Sequence, residues 1–105
     1  MSYSEYTPDC WVVVKSPKDG HLRVLGGWSG GYLGPDHWRL NSGITSATEL
    51  EGNLIAFEGS SGSSYVCSKS SYRVNMASRS ILNQLNELGW TLMDETTDWE
   101  NYEYT

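Results

Sequence analysis

The chain changes its hydrophobic period once, near Tyr72, and that switch limits the fold more than any other feature. Upstream, short β-branched and aromatic runs are separated by clusters of Gly, Ser, Pro, Asn and Asp, as strands and turns require. Downstream, Met76, Ile81, Leu82, Leu85 and Leu88 recur at helical spacing. With 105 residues there is room for one hydrophobic core. The expected class is α+β: a small bent antiparallel sheet or SH3-like half-barrel of four to six strands, with one C-terminal helix packed on it.

Residues 1–9 lack periodicity and read as an extended N-terminal arm. Cys10 to Lys15 is a β-branched run that ends at Ser16-Pro17-Lys18-Asp19-Gly20, where Asp-Gly signals a hairpin. His21 to Trp28 should return antiparallel to it. Asp36 to Ile44 reads as a strand with Trp38 and Leu40 on one face, ending in the turn-prone Asn41-Ser42-Gly43. Glu49 to Glu58 turns at Glu51-Gly52-Asn53 and carries Leu54 to Phe57. Ser60 to Ser64 leads into a strand over Tyr65 to Ser68. The helix is expected over about residues 76 to 88, capped by Asn75 and followed by Gly89. Trp90 to Met93 would add a final strand. The expected domain is residues 1–93, followed by an acidic aromatic tail, 94–105.

Charge is unevenly placed along the chain. Asp94, Glu95, Asp98, Glu100 and Glu103 lie in a tail without Lys or Arg, so of thirteen acids eight remain against seven bases in the body. With no basic cluster and a sequence pI near 4.7, phosphate-backbone contacts have nothing to draw on, so nucleic acid is not an expected partner. No apolar run is long enough to span a membrane, and the start of the chain has no signal-peptide pattern. A cytoplasmic protein is therefore expected.

The chemistry-bearing residue types do not assemble into a reaction. Cys10 and Cys67 have no second Cys or His at zinc spacing, and two reduced, partly buried thiols are the simpler expectation, although pairing stays open. The glycine-rich stretch at 26–35 runs into Pro35 and a strand rather than a helix, so it is neither a P-loop nor a dinucleotide fingerprint. His21 and His37 are the available bases, and adjacent Asp36 and His37 would point to opposite faces of a strand. Neither an enzyme, nor a metal site, nor a cofactor is expected.

Aromatic residues are the informative remainder. Trp28, Tyr32, Trp38, Tyr65 and Tyr72, with Arg39 and Asn41, fall in or beside the segments expected to form one sheet and its glycine loops, and Trp, Tyr and Arg are the types enriched in binding hot spots. Trp28 and Tyr32, set among glycines, are the best candidates for recognition. For Trp11, Trp38 and Tyr65, burial in the core is the competing expectation. In the tail, Trp99 and Tyr102 alternate with acids and form a second candidate, the alternative being a tail that frays.

The segment Gly27-Trp28-Ser29-Gly30-Gly31-Tyr32-Leu33-Gly34-Pro35-Asp36-His37-Trp38-Arg39-Leu40-Asn41-Ser42-Gly43-Ile44, followed by Gly59-Ser60-Ser61-Gly62-Ser63-Ser64-Tyr65-Val66-Cys67, resembles a group of small, mostly uncharacterised accessory proteins of tailed bacteriophages. The resemblance covers roughly residues 6 to 90 and brings no established functional residues. What it implies is a setting in the host cytoplasm. The leading expectation is a non-enzymatic protein that binds and inhibits a host defence or housekeeping protein. The alternatives are a binder that sequesters a nucleotide-like small molecule and a minor virion component.

Overall fold

Strand β2, Cys10–Lys15, is buried along five of its six residues because it is covered on both faces. Trp11 and Val13 point into one apolar cluster, Val12 and Val14 into another. The computed structural model describes residues 4–30 and 34–104. Around β2 it places β1 (Ser4–Tyr6), β3 (Leu22–Trp28), β4 (His37–Leu40), β5 (Ile44–Leu50), β6 (Leu54–Gly59), β7 (Ser63–Ser68), α1 (Met76–Glu87) and β8 (Thr91–Leu92). They form two open sheets of four strands, ordered β1-β7-β6-β5 and β4-β3-β2-β8. The α+β class and the C-terminal helix follow the sequence reading. Eight strands in two sheets stand where one sheet of four to six was expected.

Turn chemistry fixes the hairpins. Gly20 takes φ 74°, and the His21 N–H donates to Asp19 Oδ1 at 3.0 Å, setting β2 against β3. Between β5 and β6, Gly52 and Asn53 both have positive φ, 80° and 63°, so the chain reverses tightly at the expected site. The segment expected to be an extended arm includes a short strand, β1, which runs parallel to β7 from Ser4 opposite Ser63 to Tyr6 opposite Tyr65.

The two sheets face each other across Trp11, Val13, Val24, Ile55, Phe57 and Tyr65. The opposite face of the second sheet carries Val12, Val14 and Leu25 and is covered by Leu82, with Ile81 and Leu85 beside it. Asn75 caps this helix: its Oδ1 accepts from the Ser78 N–H at 2.8 Å, and the Ser78 hydroxyl accepts from the Asn75 N–H. The two ends of the apolar stripe, Met76 and Leu88, lie outside the contact, 84% and 70% exposed.

The acidic aromatic segment, a recognition candidate with fraying as its alternative, contributes to the core. Trp99 is 3% exposed and sits against Trp11, Phe57 and Tyr72. Glu100 reaches the edge of β5, where its carboxylate accepts the Glu49 N–H at 3.0 Å, and the Tyr104 hydroxyl donates to the Trp99 carbonyl at 2.6 Å. The acids of this segment face solvent while alternate aromatics face inward, so packing does not stop at residue 93. Tyr72 links the segment's start to β2: its hydroxyl accepts from the Val13 N–H and donates to the Met93 carbonyl.

Candidate functional site

The end of the β3–β4 hairpin gathers three of the residues singled out in the sequence. Two glycines are required there by close approach. A Cβ on Gly30 would fall 1.8 Å from the Pro35 carbonyl oxygen, and one on Gly27 would fall 2.8 Å from Asn75 Nδ2 and 3.0 Å from Cys10 Sγ. The connection is also fastened by hydrogen bonds. Ser29 N–H donates to Asp9 Oδ2 at 2.7 Å, Gly30 N–H to Asp36 Oδ1 at 3.3 Å, and Asn75 Nδ2 to the Trp28 carbonyl at 3.2 Å. The same asparagine that starts the helix therefore holds the hairpin.

Strand alternation divides the aromatics between two faces. Trp28 pairs with His37 and Gly27 with Trp38, so the two tryptophans project from opposite sides of the sheet. Trp28 is half-buried and turns inward, edge to face with Tyr6 at 6.3 Å between centroids. Arg39, also on the inward side, lays its guanidinium 4.6 Å from the centre of the Tyr6 ring. Among the described residues no carboxylate lies within 4.0 Å of it. Tyr6 in turn rests on Tyr65, at 5.1 Å, and burial pushes the Tyr65 hydroxyl up to about 12.

Trp38 stands on the helix side and is 45% exposed, which corrects the expectation that it belongs to the core. Trp11 and Tyr65, the other two residues expected to be buried, are buried. On the same end of the molecule, Gly34, Pro35, Asp36, Met76 and Ala77 line a shallow groove of about 470 Å³. Strand β4 is an outer strand of its sheet, with His37, Trp38 and Arg39 all exposed.

The remaining candidates lie elsewhere. Asn41 is 3% exposed, and its Oδ1 accepts from the N–H groups of Val24 and Gly43. It is a corner piece that stands in for a strand carbonyl, not a surface donor. Trp99 is in the core, and Tyr102 is half-buried beside a separate groove with Thr97, Asp98, Asn101 and Glu103. Tyr32 lies outside the described residues. Trp28, Trp38, Arg39 and Asn41 thus do not converge on one ligand. Two residues escaped the sequence reading: Tyr6, in a segment without periodicity, and Met76, whose place at the first helical turn left it outside the packed stripe.

Cys10 and Cys67 are both buried and unpaired. Cys10 lies on the helix side of the second sheet, against Gly27, whereas Cys67 lies between the sheets. Burial pushes both thiols up. Among the described residues no group of three or more His, Cys, Asp and Glu could hold a metal ion, and no helix is long and apolar enough to cross a membrane. Compared with known protein families, curated proteins and solved structures, the chain matches none.

Proposed function

We propose that the chain is a non-enzymatic binding module that occupies another protein by direct contact through the β4 flank. In the setting implied by its phage resemblance, the partner is a host defence or housekeeping protein inhibited by that contact. The observation that carries this reading is Trp38. A tryptophan whose main chain is fixed by strand pairing yet which is 45% exposed offers a large apolar area, with few side-chain torsions to order when a partner covers it. Arg39, with its guanidinium over the Tyr6 ring, adds a cation on the opposite side of the same strand. The shallow groove at Pro35, Met76 and Ala77 extends the apolar surface beside the helix.

The test is capture of a protein from bacterial lysate, followed by binding to that protein after separate purification. A Trp38→Ala, Arg39→Ala double variant should weaken the reconstituted complex by about thirtyfold or more, the scale of a lost hot spot. Equal affinity of the double variant and the parent chain would remove this flank as the contact surface.

A further inference from the structure

Deepening the proposed function, and resting on it, we infer that β4 receives an extended segment of the partner, alternately acidic and apolar, which joins the second sheet as an added strand. The first support is the main chain. Asn41 N–H bonds to the Val24 carbonyl across the hairpin at 2.9 Å. Because backbone groups alternate sides along a strand, those of Arg39 and His37 also point to β3, and those of Trp38 and Leu40 point away from the sheet. An edge left unpaired among the described residues, with exposed residues on both faces, is a template for strand addition.

The other outer strands offer less. Strands β1 and β8 span three and two residues. On β5, Glu100 already occupies the outward Glu49 N–H. Strand β4 keeps four residues, and their chemistry is sorted by face: His37 and Arg39 on one side, Trp38 and Leu40 on the other. A strand laid beside it meets a cation and a ring at alternate positions, so acidic and apolar residues in alternation complement it.

Charge also discriminates against a second copy of this chain. Antiparallel pairing of two β4 strands about Arg39 opposes two guanidinium groups. An acidic segment relieves that opposition. Arg39 is available for it, since its guanidinium rests on the Tyr6 ring and is free of any carboxylate among the described residues.

The probes are two short end-blocked peptides, one alternating Glu with Val and one alternating Lys with Val, added to the full chain. The Glu peptide should bind more tightly by about tenfold or more, and should slow amide hydrogen exchange at Trp38 and Leu40. Arg39→Glu should reverse the preference. Leu40→Pro removes an outward N–H and no bond within the sheet, so it should abolish slowing of exchange. If that variant loses its fold, N-methylation of alternate peptide residues removes the same bonds from the other side.

Equal binding of the two peptides, binding of neither, or slowed exchange at β1 or β5 in place of β4 would overturn the inference. So would a dimer of the chain that Leu40→Pro dissociates. A purified partner that needs the Trp38 ring while exchange at Trp38 and Leu40 stays fast would leave the proposed function standing and remove strand addition alone.

Discussion

Trp11 and Trp99 meet edge to face, with ring centroids 6.2 Å apart and planes at 60°. The pair joins strand β2 to a segment that follows the helix, and Phe57 touches both rings. Trp99→Ala should therefore behave as a core truncation and cost about 3–5 kcal/mol, measured by urea unfolding. Tyr102→Ala, at a half-buried position, should cost less. A loss below about 1 kcal/mol for Trp99→Ala would mean that the segment contributes no packing.

Alkaline pH should unfold the protein through its buried phenols. Burial raises Tyr72 and Tyr65 each to about 12, above the ordinary value near 10. A raised folded value means that the neutral phenol stabilises the fold fully below about pH 10, and that this contribution is lost as pH climbs through about 12. Circular dichroism against pH should show the loss in that window. Tyr72→Phe should shrink it to the share of the remaining buried phenols, while lowering stability at neutral pH because the Val13 N–H and Met93 carbonyl lose their partner.

Asn75 has two separable duties. Asn75→Ala should lose the helix cap and the bond to the Trp28 carbonyl together, with a cap loss of about 0.5–2 kcal/mol. Asn75→Asp keeps an acceptor for Ser78 and drops the donor to Trp28. Helix content by circular dichroism should then hold while amide exchange in the β3–β4 hairpin quickens. Unchanged exchange would show that the hairpin does not depend on this tie.

Asn41→Ala should cost about 1–3 kcal/mol for each main-chain donor it leaves without an acceptor, at Val24 and Gly43. Thermal unfolding measures it. A variant within experimental error of the parent would show that the corner re-pairs its own backbone.

Both thiols should resist a charged alkylating reagent in the folded chain and react fully in denaturant, because both are buried and raised. Mild oxidation should yield no intramolecular disulfide, as Cys67, on β7 of the first sheet, faces the gap between the sheets and Cys10 points to the far, helix side of the second. A monomeric product with shifted non-reducing mobility would contradict this placement.

The hairpins and the helix were legible in the sequence because their signals are local. Asp19-Gly20, Gly52-Asn53, Asn75 and Gly89 each impose a backbone conformation regardless of what packs nearby. Strand β5 was harder to read, since a register irregularity between Ile44 and Ser46 puts Ile44 and Ala47 inward and breaks the two-residue period. Trp38 looked like core by its alternation with Leu40. Its exposure depends on β4 lying at the rim of the sheet, a matter of strand order rather than of composition. Trp99 was concealed by its neighbours: Asp98 and Glu100 suggest a solvated peptide, and the inward turn of one ring between them is decided by the gap beside Trp11 and Phe57.

The position of Trp99 also sets where the chain tolerates truncation. Every described strand and the helix precede this indole, yet it closes one side of Trp11, Phe57 and Tyr72. A C-terminal clip that removes it therefore opens the core instead of trimming a loose end.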